Sequence, residues 1–132
     1  MVYIDLVSGI AHDKEGIRYL AENNLCDGII STKGYLIKEA SKFGFMTIQR
    51  VFLLDSASLN SAERSLNSQT VDAVEILPGI AAPYFIERQK NNRYDYPVIA
   101  GGLIKSKKEV DTLKEKGVFA VSTSSYQLWN YN

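Results

Sequence analysis

A chain of 132 residues, 45% hydrophobic and 23% charged, has the makeup of one soluble globular domain over residues 1–132 with room for a sizeable core. Fifteen Lys/Arg cancel fifteen Asp/Glu, so the overall charge gives no electrostatic case for nucleic acid or membrane. No apolar run reaches membrane-spanning length and no basic-then-apolar leader opens the chain; the single Cys26 excludes an internal disulfide, and a cytoplasmic protein is expected.

Short apolar runs read as strands at Val2 to Val7, Gly28 to Ser31, Met46 to Phe52, Ala73 to Leu77, Pro97 to Ala100 and Val118 to Ser122. Between them lie helical faces: Ile17, Leu20, Ala21 and Leu25; then Leu36, Ile37, Ala40 and Phe43; then Leu59, Ala62 and Leu66. Gly44 and Gly117 stand where helices should stop, and Pro83 suits a first helical turn. Ser106-Lys107-Lys108-Glu109 reads as a capping box opening a helix that carries Val110 and Leu113. Cys26 precedes an apolar strand and reads as a small buried hydrophobe. His12, beside Asp13 on a loop, reads as solvent-facing, since a metal site would want more ligands nearby.

Six strands alternating with helices imply a parallel α/β sheet. An open doubly wound sheet would carry a Gly-rich loop after its first strand, but Asp5-Leu6-Val7-Ser8-Gly9 is not that fingerprint. The glycines and hydroxyls fall instead on the last two strands, at Gly101-Gly102 and at Ser122-Thr123-Ser124. There, backbone N–H groups at a helix start would favour an anion. Phosphate sites on the final strands belong to TIM (β/α)8 barrels, so a barrel-like fold is expected, with about six βα units visible and about two N-terminal ones missing. An unclosed barrel edge would call for a partner subunit, a second copy of the chain completing the sheet, or would leave an unstable species.

Polar residues interrupt several apolar strands. Alternation places Asp5, Gln49 and Glu75 on the barrel axis, opposite Ile4 and Leu6, Ile48 and Arg50, and Val74 and Ile76 respectively. A buried carboxylate needs a partner, so a polar, ligand-lined mouth or an internal hydrogen-bonded network is implied. In Ser31-Thr32-Lys33, Thr32 is expected to cap the following helix and Lys33 to reach an anion over the mouth. Residues 83–116 hold eight Lys/Arg against five Asp/Glu, a modest basic excess best read as a solvated helical face.

Asp27–Lys33, Thr47–Arg50, Val74–Ile80, Ile99–Ile104 and Ala120–Ser124, closing on Leu128-Trp129-Asn130, together resemble one family in order along the whole chain. This is the glycerol-3-phosphate-responsive antiterminator family of bacterial glycerol-uptake operons. The resemblance implies a regulator rather than a catalyst. It would bind glycerol 3-phosphate as effector, need no cofactor, and act on leader mRNA so that transcription passes a terminator. Matching positions imply that Gly101, Gly102, Ser122, Thr123 and Ser124 hold the phosphate. Asp5, Ser31, Lys33, Gln49, Arg50 and Glu75 would line the mouth and meet the glycerol hydroxyls. No motif assigns the RNA contacts; Lys105, Lys107 and Lys108 are named from their charge beside the phosphate loop. Family chains carry additional βα units before the strand at which this one starts. Two other readings share the scaffold: a phosphosugar lyase, isomerase or synthase using Glu75 or Asp5 as base and Lys33 as electrophile, and a shortened domain with little activity.

Overall fold

Alternate strand positions and helical stripes meet on one face of a six-stranded parallel sheet. The structure, a computed structural model, describes residues 1–92 and 94–131. The strands are β1 (Val2–Tyr3), β2 (Gly28–Ser31), β3 (Met46–Phe52), β4 (Ala73–Leu77), β5 (Val98–Gly101) and β6 (Ala120–Ser122). They lie side by side in chain order, β1-β2-β3-β4-β5-β6, every pair parallel. A doubly wound sheet would reverse its order at a switch point, and this one does not. The α-helices α1 (Lys14–Glu22), α2 (Gly34–Lys42), α3 (Ser56–Asn67), α4 (Ala82–Asn92) and α5 (Lys107–Glu115) form the crossovers. The result is a curled half-barrel of the TIM-barrel type.

The core lies between the sheet's outer face and the helices. Ile29, Val51, Val74, Ile76, Val98 and Ala100 pack there with Leu36, Ile37, Leu66 and Phe85. The helical faces are as the spacing predicts: Ile17 and Leu20 on α1, Leu36, Ile37 and Ala40 on α2, Leu59, Ala62 and Leu66 on α3, Val110 and Leu113 on α5 are all buried. Leu25 is the exception, lying beyond the end of α1 and exposed. Gly44 and Gly117 stop α2 and α5 with φ of 81° and 93°, conformations an L side chain resists. Cys26 packs half-buried against the core.

Three expectations are corrected. The first strand ends at Tyr3, and Ile4–Leu6 turn as a 3-10 helix. Ile4 is therefore buried while Leu6 is exposed, rather than both facing the helices. The last strand is followed by a 3-10 turn, Tyr126–Leu128, and not by an α-helix among the described residues. The start of α2 is capped at Lys33 without a side-chain bond, because the Thr32 hydroxyl is drawn to Asp5. β1 and β6 end the sheet without pairing to each other, and Phe119 just before β6 is exposed.

Candidate functional site

Parallel strands in one register bring chemically useful residues into rows at the sheet's C-terminal end. Arg50 on β3 stands opposite Glu75 on β4, and Glu75 opposite Ile99 on β5. One inward-facing position further along β5 is Gly101, which stands opposite Ser122 on β6. The helix-facing neighbours Val74, Ile76 and Ala100 are fully buried in the core, so Arg50, Glu75, Ile99, Gly101 and Ser122 face the other way, toward the concave side.

Glu75 is 3% exposed and its Oε2 accepts a 2.8 Å bond from Arg50 Nε. The Arg50 guanidinium also stacks over the Tyr3 ring, 4.0 Å from its centroid. A charge this deep is tolerated because its counter-charge is fixed by both an ion pair and an aromatic face. Glycine at 101 permits the arrangement: a Cβ there would stand 2.7 Å from Glu75 Oε1.

The chain then turns through two left-handed residues, Gly102 at φ 79° and Leu103 at φ 60°. The Gly102 carbonyl accepts from Gly79 N at 3.1 Å, tying this turn to the loop after β4. At the helix beyond, part of the backbone N–H set is already engaged by the chain's own side chains, including Glu109 N by Ser106 Oγ at 3.2 Å. Helix α5 begins only at Lys107, and Glu109 Oε2 accepts from Lys105 N and Ser106 N, each at 2.8 Å. These bonds hold the Glu109 carboxyl below its ordinary range. The capping box itself is as the sequence predicts.

After β6, Ser122 and Ser124 are exposed, while Thr123 is engaged within the protein. Its Oγ1 donates to the Ile104 carbonyl at 2.7 Å and accepts from Ser125 N at 3.0 Å. Its carbonyl accepts from Trp129 Nε1 at 3.0 Å. Thr123 thus shapes the loop, leaving Ser122 and Ser124 as its outward hydroxyls.

A second cluster forms where β1 and β2 end. The Asp5 carboxylate accepts from Ser31 Oγ at 2.5 Å, Thr32 N at 2.9 Å and Thr32 Oγ1 at 2.6 Å. Burial raises its pKa, but the bonds from Ser31 and Thr32 outweigh burial and hold it below the ordinary value. His12 is half-buried rather than solvent-facing: Nε2 lies 3.0 Å from the Val7 carbonyl, and Nδ1 lies 3.5 Å from Lys33 Nζ. A carbonyl only accepts, so in the neutral ring Nε2 carries the hydrogen and Nδ1 faces the ammonium. Lys33 therefore joins this cluster, separated from β5 by β3 and β4.

Gln49 is the clearest relocation. It pairs in register with Val74, on the helix side, and its amide donates to the Thr32 carbonyl at 3.0 Å and accepts from Gln69 Nε2 at 3.1 Å. It braces α3 against the sheet from behind and does not face the axis. Ser31, in register with Gln49, is buried on the same side. Lys105, Lys107 and Lys108 are exposed at the start of α5, with Lys107 Nζ 5.4 Å from the Tyr131 ring centroid. The sequence reading did not include Tyr3 in the site; its spacing gave no signal, because only the register brings it beneath Arg50.

An uninterrupted parallel sheet with the Arg50–Glu75 pair on its concave face and Gly and Ser loops at its C-terminal end defines a barrel-like α/β scaffold. The chain belongs to the glycerol-3-phosphate responsive antiterminator family, whose model matches residues 1–129. It is 31% identical over 128 residues to the uncharacterized protein YgcP of Escherichia coli (strain K12), covering 97% of this chain and 66% of YgcP. Among solved structures it resembles the glycerol uptake operon antiterminator regulatory protein of Listeria monocytogenes, with a TM-score of 0.91 and 34% identity over 100% of this chain and 70% of that one. A glycerol uptake operon antiterminator-related protein of Thermotoga maritima superposes with a TM-score of 0.85 and 33% identity, over 97% of this chain and 71% of that one. The native KDPGal structure, at 17% identity and a TM-score of 0.62 over 84% of this chain and 52% of that one, shares the fold alone. The chain spans just under two thirds of the length of YgcP.

Proposed function

We propose that this chain senses glycerol 3-phosphate and, when loaded, binds the leader mRNA of glycerol-utilisation genes in the cytoplasm so that transcription passes a terminator. The observation that carries the reading is the juxtaposition of Gly101 and the left-handed Gly102 with Ser122, in register at the sheet's C-terminal end and inside a chain of the antiterminator family. Backbone N–H groups of the Gly101–Leu103 turn and the hydroxyls of Ser122 and Ser124 would receive the phosphate. The concave residues Arg50 and Glu75 would meet the glycerol end. Asp5, fixed by its bonds from Ser31 and Thr32, would hold the mouth's other rim, and Lys33 would add positive charge there.

An effector shifts a regulator only through differential affinity for two states. The Thr123 carbonyl that holds Trp129 supports a route, since ordering the Ser122–Ser124 loop would also order the exposed Tyr126–Trp129 pair, whose ring centroids lie 4.8 Å apart. Lys105, Lys107 and Lys108 on the neighbouring loop and helix would add phosphate-backbone contacts. The test is leader-RNA binding titrated with and without glycerol 3-phosphate. Tighter binding with the effector is expected. Equal affinity in both would sink the coupling, and no RNA binding would sink the regulator.

The unpaired edges β1 and β6 favour a second copy completing the sheet. A melting temperature that rises with protein concentration is expected, and one independent of concentration would overturn the pairing.

A further inference from the structure

We propose that Glu75 Oε1 is a hydroxyl acceptor that makes this site select the alcohol form of a small phosphate ester over its ketone form, with Arg50 as the positioning residue. The inference rests on the phosphate reading above and adds a rule of substrate class to it. Among the described residues, Arg50 Nε reaches Glu75 at Oε2, and no donor reaches Oε1. Glu75 as a residue is 3% exposed, yet Oε1 is not among the sealed, unpartnered oxygens of the described residues, so it keeps a narrow opening through which a ligand can reach it.

The direction of Oε1 is set by the sheet. Glu75 stands opposite Ile99, yet Oε1 is the atom nearest to where a Gly101 Cβ would be, one inward-facing residue closer to the C-terminal end. The carboxylate therefore rises toward the turn that would take the phosphate. Its other oxygen is held by Arg50, and that guanidinium is stacked on Tyr3, so the group has few ways to turn aside. Gly101 belongs to both features. A ligand whose phosphate sat on the Gly101–Leu103 turn would place an adjacent carbon's substituent over Oε1.

A carboxylate paired with arginine offers acceptors only. A hydroxyl at that carbon donates to it and fills its empty position. A ketone oxygen has no hydrogen to give, so once the ligand displaces the water at Oε1 two acceptors would face each other. Selection between the two oxidation states of one carbon skeleton follows from this single oxygen, with no change at the phosphate.

The test is calorimetric titration of the protein with sn-glycerol 3-phosphate, dihydroxyacetone phosphate and inorganic phosphate. The alcohol is expected to bind about 10- to 100-fold more tightly than the ketone, the range a single buried hydrogen bond supplies. In Glu75→Gln the ratio is expected to fall to within about threefold, because an amide can donate to a ketone as well as accept from a hydroxyl. Equal affinities in the unmodified protein, or a ratio that survives Glu75→Gln, would overturn the inference while leaving the phosphate reading intact. If none of the three phosphates binds, both fall together. Gly101→Ala gives a second reading should Glu75→Gln fail to fold. Its Cβ must displace Oε1, so the ratio should fall there too, and an unchanged ratio counts against the proposal.

Discussion

The hydroxyl of Thr123 donates to the carbonyl of Ile104 at 2.7 Å, joining the loop after β6 to the loop after β5. The two loops nominated for phosphate are thus one mechanical unit. Thr123→Val keeps the shape and removes the bond, leaving the carbonyl of the buried Ile104 and the Ser125 N–H without this partner. A loss of about 1–2 kcal/mol is expected, or roughly 3–8 °C in a thermal melt of a domain this size. A melt within 1 °C of the unmodified protein (about 0.3 kcal/mol) would show the joint carries nothing.

Arg50 and Glu75 predict an asymmetry. Arg50→Met strands a carboxylate that is 3% exposed, and a loss of about 3 kcal/mol in urea unfolding is expected. Replacing both, as Arg50→Met with Glu75→Leu, should recover much of that loss, because the isolated charge is the larger penalty. A double variant less stable than the single one would show that the pair itself is strongly stabilising.

Asp5 gives an acid-side prediction. Its folded-state pKa lies below the ordinary aspartate value, because the Ser31 and Thr32 bonds outweigh burial. A lowered carboxylate contributes stability above its unfolded value and loses it as pH falls through the folded one. Asp5→Asn should therefore reduce stability at pH 6 and flatten the decline below about pH 4. Parallel melting profiles for the two proteins from pH 6 to pH 2.5 would contradict this.

Gly102→Val should abolish thermal stabilisation by glycerol 3-phosphate, since φ of 79° suits no branched side chain and the new methyls would crowd the turn. Gly44→Ala is the control, with φ of 81° at the end of α2. It should lower stability by about 1 kcal/mol and leave the ligand shift in place. Undiminished stabilisation in Gly102→Val would put the anion elsewhere.

The fold was legible where punctuation and periodicity agreed. β2, β3 and β4 begin and end at the residues their apolar runs mark, and the Ser106–Glu109 box opens α5. The face of β3 was not legible: Thr47, Ile48, Gln49 and Val51 are all buried, and a strand covered on both sides has no hydrophobic phase. Gln49 looks like a pocket residue until α3 brings Ser65 and Gln69 behind it. Glu75 was legible because it is the single charged residue of a five-residue strand, flanked by the apolar Val74 and Ile76. Asp5 was misplaced because its strand turns at Ile4, which no local signal announces. The Asp55–Ser58 capping box of α3 gives little sequence signal, because Ser58 stands where the usual pattern has Glu or Gln.

Glu109 carries one further meaning. With two backbone N–H groups and the Ser106 hydroxyl directed at Oε2, its side chain is a resident anion one loop away from the Gly102 turn. A ligand carrying a second phosphate would find that neighbouring berth taken and negatively charged. On the proposed phosphate reading, that charge would favour monophosphates, a preference set by the chain's own helix start rather than by the residues proposed to meet the ligand.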